Sequence, residues 1–192
     1  MKKVVIIGDG ALGSHVVLFC RNIADAAITL VDDDRVEQKN TASQMHTGMG
    51  VGRNKTEASA KLMQGLFKQR INALPRRLTK DNVTQLLGGA DLGVDCVDNG
   101  ATRRLIQGYV LEHDIPCLHG ALSADGIFGR VVWTEHFAVD DESVEGEATC
   151  EGGEHLPFIA FVSAILATQI RDFLADGARR NFNVHPGGTT PF

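Results

Sequence analysis

None of the four cysteines, Cys20, Cys96, Cys117 and Cys150, stands in CxxC spacing with another. That absence argues against both a structural zinc site and a disulfide scaffold, and it predicts free thiols. Dense basic runs are missing too. Nineteen lysines and arginines face 24 acids, a formal charge of −5, which disfavours nucleic acid as the main ligand. The longest apolar stretch, around residues 158–166, is too short to cross a bilayer, and Met1-Lys2-Lys3 runs straight into a strand pattern rather than a signal-peptide core. No membrane association is expected, and the chain reads as cytoplasmic. Its 192 residues suffice for one sizeable domain with a tail, not for two full domains.

What is present begins with an apolar run, Val4-Val5-Ile6-Ile7, leading into Gly8-Asp9-Gly10-Ala11-Leu12-Gly13. A second apolar run, Ala27-Ile28-Thr29-Leu30-Val31, ends in Asp32. This strand, glycine turn, helix and strand ending in an acid form the pattern of a nucleotide-binding βαβ unit. Gly8 permits the tight turn, Gly10 lets backbone N–H groups approach a phosphate, and Gly13 lets the helix pack close to the strand. Asp32 is placed to accept hydrogen bonds from a ribose. The pattern by itself does not separate ATP from NAD.

Leu12, Val16, Phe19 and Ile23 recur at helical spacing over 11–24. A polar, glycine-containing loop over 33–52 follows, of a length that is usually functional or disordered. The pattern then predicts a helix over 55–66, a strand near 70–74, a helix between Thr79 and Gly88-Gly89, a strand within 90–97, a helix over 101–113, strands near 115–120 and 129–133, and a helix over 157–175. This alternation predicts an α/β fold: a doubly wound, mostly parallel, Rossmann-like sheet with an additional strand pair and a C-terminal helix. The expected domain covers 1–176. It includes an acidic segment, 140–154, with seven carboxylates, read as a mobile surface loop, and 177–192 is expected to be a flexible tail. Gly187-Gly188 near the end is read as flexible punctuation.

Four further patterns occur in order: Asp32-Asp33-Asp34-Arg35-Val36; Asn40 with Gln44; Gly52-Arg53-Asn54-Lys55; and Asp95-Cys96-Val97-Asp98-Asn99 with Arg103. Together with Cys150 and the helix after it, the series resembles the ThiF/MoeB/HesA-type adenylyltransferases, relatives of ubiquitin-activating enzymes, over residues 1–175. The resemblance implies use of magnesium-ATP to adenylate the C-terminal glycine carboxylate of a ubiquitin-fold or sulfur-carrier protein, and pairing as a homodimer or with a homologue. It implies Lys55 as the cation for phosphate oxygens, Asp98 as an oxygen ligand of Mg²⁺, and Asp32 at the ribose. Gly8, Gly10 and Gly13 would line the nucleotide, with Asn40 and Gln44 on its phosphate side. Cys150, in Thr149-Cys150-Glu151-Gly152-Gly153, matches the cysteine that links covalently to the carrier in sulfur-transferring members.

Each residue also has a plainer reading. Lys55 can be an exposed helix lysine, Asp98-Asn99 a helix N-cap, and Arg103 one half of a salt bridge within its helix. Cys150 can be an incidental loop thiol, since its acidic neighbours raise its pKa rather than lower it. Asp33 and Asp34 read as solvated or capping acids, and Cys20, Cys96 and Cys117 as inert core residues. Departures from the resembled pattern are also present. Ser43 stands where NxxRQ has an arginine, the two zinc-binding CxxC pairs are missing, and so is the N-terminal arginine segment. A reduced, zinc-free member is expected, with weak or partner-dependent turnover. Two alternatives stand beside it: a non-catalytic nucleotide-binding scaffold paired with an active homologue, and an NAD-dependent oxidoreductase.

Overall fold

The last four residues of β1 (Lys2–Ile7) are all buried because the strand is covered on both faces. Val4 and Ile6 pack with α1 (Ala11–Phe19) and with α5 (Leu156–Asp176). Val5 and Ile7 pack on the opposite face, with α3 (Val83–Leu87) and α4 (Gly100–Glu112). A strand read from two sides has no polar face to spare, which accounts for its unbroken apolar sequence. The computed structural model describes residues 1–123, 125–139 and 153–192. Cys150 and most of the acidic segment expected as a mobile loop lie outside the described residues.

Among the described residues the sheet has eight strands in the order β3-β2-β1-β4-β5-β6-β7-β8. β2 (Ala26–Val31), β3 (Asn72–Leu74), β4 (Leu92–Asp95) and β5 (Cys117–Leu122) run parallel with β1. β6 (Gly129–Trp133), β7 (Phe182–His185) and β8 (Gly188–Pro191) continue the sheet antiparallel. This is the expected doubly wound, mostly parallel architecture with a C-terminal helix.

The segment 177–192 departs from the expected flexible tail. Val131 pairs with Phe182 and Gly129 with Val184, and a two-residue turn over Pro186 and Gly187 returns the chain as β8. Val184 is buried in the same core as Trp133. Gly187 lies in the hairpin turn and Gly188 opens β8, and the pairing that orders the hairpin comes from β6, about fifty residues away in sequence. Helix α1 is shorter than expected: it ends at Phe19 and tightens into a 3₁₀ turn over Cys20–Asn22.

α5 is the one helix among the described residues long and apolar enough to cross a membrane, with a mean hydropathy of 1.5. Its apolar side is spent within the protein instead. Val162, Leu166 and Ile170 are buried in the core, and the Ser163 hydroxyl donates to the Leu12 carbonyl on α1 at 3.2 Å.

Candidate nucleotide site at the carboxyl edge of the sheet

β1 lies between β2 and β4, with Ile7 in register with Val31 on one side and Asp95 on the other. Gly8, Asp32 and the turn leading to Asp98 therefore leave the sheet at one edge. Neighbouring strands are about 4.8 Å apart, so the β2 and β4 ends flank the glycine turn across roughly 10 Å.

The three glycines divide the work. Gly8 has φ +93°, and a Cβ there would meet the Cys96 carbonyl oxygen at 2.8 Å. A Cβ on Gly13 would lie 1.8 Å from the Gly8 carbonyl oxygen, so only glycine lets α1 sit this close to the turn. Gly10, the N-cap of α1, faces open space, with no atom within 4 Å of a Cβ. Packing therefore explains Gly8 and Gly13, and room for an approaching group is what remains at Gly10.

Asp32 is held by its own neighbourhood. Its Oδ2 accepts from the Asp9 N–H at 2.7 Å and its Oδ1 from the Asp34 N–H at 2.8 Å. Burial pushes its carboxyl up from the usual range, with the two backbone donors acting against that shift. The carboxylates of Asp32, Asp33 and Asp34 approach within 4.8 Å of one another, and the latter two are exposed.

Lys55 opens α2 (Lys55–Phe67), where Asn54 caps the helix by accepting from the Thr56 and Glu57 N–H groups at 2.9 and 3.3 Å. The Asn54 amide also donates to the Asp32 and Asp34 carbonyls, both at 3.0 Å, which locks the helix start to the end of β2. The Lys55 ammonium donates to Asp34 Oδ2 at 2.9 Å. The residue is only 7% exposed, which removes the reading of a solvated helix lysine. Burial alone would lower its pKa, but Asp34, Asp32 and Asp9 outweigh that and raise it, so the cation persists.

Asp98 and Asn99 separate their roles. Asn99 caps α4 by accepting from the Thr102 N–H at 2.9 Å. Asp98 is exposed on the turn before it, and its carboxylate has no hydrogen bond or ion pair among the described residues. Arg103 does not form the salt bridge within its helix that was its plainer reading. Its Nη2 donates to the Val97 carbonyl and, at 2.8 Å, to the Gly120 carbonyl, bracing the turn instead.

The loop over 33–52 contains 3₁₀ turns at Gln38–Ala42 and Gly48–Gly50. Asn40 is buried, and its carbonyl oxygen accepts from the Glu37 N–H at 2.8 Å, a local cap. The side-chain oxygen of Gln44 is buried without a partner among the described residues. Ser43 is 1% exposed, its hydroxyl has no partner among the described residues, and its carbonyl accepts from His15 Nε2 at 3.0 Å. Gly153 returns to the described structure against this loop, where a Cβ would stand 3.0 Å from the Ala42 carbonyl oxygen.

Sequence reasoning missed Asp9. Its side chain is fully buried, with Oδ2 accepting from the Ser59 hydroxyl at 2.7 Å and Oδ1 unpartnered. Burial pushes its carboxyl well up; Ser59 opposes this, Asp32 reinforces it and Lys55 opposes it. His46 Nε2 donates to the Asp9 carbonyl at 3.0 Å, and burial lowers the pKa of both His46 and His15. The signal available was an acid between two glycines at a corner that the packing had to bury. Cys20, Cys96 and Cys117 are buried as expected, and burial raises the Cys20 thiol to about 12.

The chain matches the model of the ThiF family over residues 1–183. It is 33% identical to the SAMP-activating enzyme E1 of Haloferax volcanii over 122 residues, 62% of this chain and 45% of that protein. It is 30% identical to the sulfur carrier protein ThiS adenylyltransferase of Escherichia coli over 132 residues, 68% of this chain and 52% of that protein. The chain thus spans about half the length of these relatives. The fold is shared with E. coli MccB, at a TM-score of 0.79 and 17% identity, covering 100% of this chain and 61% of that one. The match over nearly the whole sequence, on a sheet whose carboxyl edge carries the glycine turn, Asp32, Lys55 and Asp98, makes this chain a member of the ThiF family.

Proposed function

We propose that this chain adenylylates the C-terminal carboxylate of a ubiquitin-fold or sulfur-carrier protein with ATP, acting in the cytoplasm. The observation that carries the reading is the buried Lys55 cation, paired with Asp34 and coupled to Asp32 and to Asp9 of the glycine turn, on the same edge as Asp98, which has no partner among the described residues. A carboxylate oxygen of the carrier attacks the α-phosphorus, the bond to the β-phosphate oxygen breaks, and pyrophosphate leaves. Two anions must meet in that step, so neutralisation and alignment contribute more than proton transfer. Asp32 binds the ribose with the lone pairs its backbone donors leave free. Lys55 exchanges Asp34 for a phosphate oxygen. Asp34, 67% exposed at its side chain, is then returned to water at little cost. Asp98 would hold Mg²⁺ brought with the triphosphate, a fit supported by its exposure and lack of a partner among the described residues, and the ion would supply charge neutralisation at the leaving pyrophosphate. Gln44 would serve the phosphate side only through its amide N–H groups, which donate.

The partner, by this reading, is a protein whose contact face carries basic residues, given the net charge of −5 on this chain. Zinc has no part in it. Cys150 forming a covalent link with the carrier rests on sequence position alone, and mass measurement of a trapped adduct tests it. The whole reading is tested by carrier-dependent exchange of pyrophosphate into ATP. Absence of both exchange and ATP-dependent stabilisation, with matched carriers present, refutes it.

One observation favours a second reading, a nucleotide-binding subunit that supports an active homologue. The position where the resembled pattern has a phosphate-contacting arginine is Ser43, an interior residue, so no cation reaches out from there. Under this reading Lys55→Ala and Asp98→Ala leave the activity of the paired enzyme unchanged.

A further inference from the structure

Both backbone groups of Val97, the residue before Asp98, are pinned by buried side chains. Its N–H donates to Asp95 Oδ1 at 3.0 Å, and its carbonyl accepts from Arg103 Nη2. Asp95 is the last residue of β4 and is fully buried. A buried carboxylate keeps its place only when its other oxygen is also held. That partner is His119 on β5, in register with Asp95, with Nδ1 donating to Asp95 Oδ2 at 2.8 Å. Arg103 Nη1 lies farther off, at 3.7 Å.

The imidazole is itself fixed on its remaining sides. Its Nε2 lies 2.8 Å from the Thr134 hydroxyl, which donates to the Cys117 carbonyl at 3.1 Å. The Phe137 ring stacks on it at 4.1 Å with planes 2° apart, and the Arg103 guanidinium carbon sits 5.7 Å from that same ring. The line from threonine through histidine to aspartate has the spacing of a nucleophilic triad. Its burial and the use of the threonine hydroxyl on Cys117 exclude that chemistry, because no substrate reaches it.

We infer that His119 is a positioning residue: it orients Asp95, Asp95 and Arg103 clamp the two peptide groups that flank the Val97 Cα, and the second of these presents Asp98, unpartnered among the described residues, to the metal-nucleotide. This rests on the proposed adenylylation only for its catalytic consequence. Partners behind a metal ligand typically change affinity or activity by about 10–100-fold when removed.

The test compares His119→Phe, which keeps the stack on Phe137 but loses the N–H to Asp95, with His119→Asn, which restores an N–H donor. In the unliganded protein, hydrogen exchange over residues 95–99 is expected to quicken at least roughly 10-fold in H119F while exchange in β1 stays slow, and H119N is expected to recover part of the protection. In pyrophosphate exchange, the Mg²⁺ concentration for half-maximal rate is expected to rise about 10-fold or more in H119F, with H119N between it and the wild type. Unchanged exchange over 95–99, or an unchanged Mg²⁺ requirement in an active H119F, overturns the inference. If H119F does not fold, Arg103→Lys removes the other clamp and must produce the same two changes. An inactive wild type whose 95–99 protection still depends on His119 refutes the adenylylation reading and leaves the clamp standing.

Discussion

Replacing Asp9 with asparagine is expected to stabilise this protein at neutral pH, although Asp9 lies within the glycine turn. Asp9 is fully buried, with one oxygen on Ser59 and one unpartnered. Burial holds its carboxyl protonated above 3.8, the ordinary value at which the unfolded chain releases the proton. The folded state then binds more protons than the unfolded state, so stability falls as pH rises from that value until the folded carboxyl ionises. Each unit by which burial raises the folded carboxyl costs about 1.36 kcal/mol once the pH lies above the folded value. Asparagine keeps the oxygen facing Ser59 and has no such penalty, though its amide N–H₂ takes the unpartnered place at a cost of about 1–2 kcal/mol. A net gain on the order of 1 kcal/mol at pH 7 is expected, roughly 2–4 °C in Tm for a chain of this size. Urea melts of Asp9→Asn and wild type from pH 4 to pH 8 measure the difference directly. It should be smallest at pH 4 and grow with pH. Asp32 shifts in the same direction and is coupled to Asp9, so the difference reports the Asp9 carboxyl together with its effect on Asp32. A variant that is less stable at pH 7, by an amount that does not vary with pH, refutes the reasoning.

The glycines give opposite outcomes under one substitution. Gly13→Ala ordinarily gains about 1 kcal/mol inside a helix, yet here its Cβ meets the Gly8 carbonyl oxygen at 1.8 Å, and a net loss of about 2–4 kcal/mol is expected in thermal melts. Gly10→Ala meets nothing within 4 Å, so its Tm should stay within about 2 °C of wild type while the ATP-dependent Tm shift shrinks. Lys55→Met should lower pyrophosphate exchange by about 10²-fold or more, with circular dichroism showing a retained fold. Native alkylation at pH 8 followed by peptide mass analysis should leave Cys20, Cys96 and Cys117 unlabelled, because burial blocks access and holds their thiols protonated.

Much of the site was legible because its signals are local. A glycine turn between an apolar strand and an amphipathic helix, with an acid ending the next strand, is a matter of neighbouring residues and of periods of two and 3.6. The ordered patterns around Lys55 and Asp98 extended that reading along the chain. Composition could not say which of Asp98 and Asn99 caps α4, because both residue types do so equally well; the turn geometry gives the cap to Asn99 and leaves Asp98 free. Arg103 could be read from sequence either as part of the ordered pattern or as half of a salt bridge on its helix, and only the fold, which brings it to the Gly120 carbonyl on β5, makes it a brace.

By itself, then, the sequence determined the alternation of strands and helices, the parallel sheet covered on both faces, and the edge at which the glycine turn, Asp32 and Asp98 emerge. The tertiary structure alone decided which polar groups would be buried and with whom. Asp9 meets Ser59 across 50 positions, His119 meets Asp95 across 24, and β7 becomes a strand only by pairing with β6. Backbone conformation is governed by sterics between chain neighbours, whereas the cost of a buried charge and the pairing of a strand depend on groups that folding brings together from far apart.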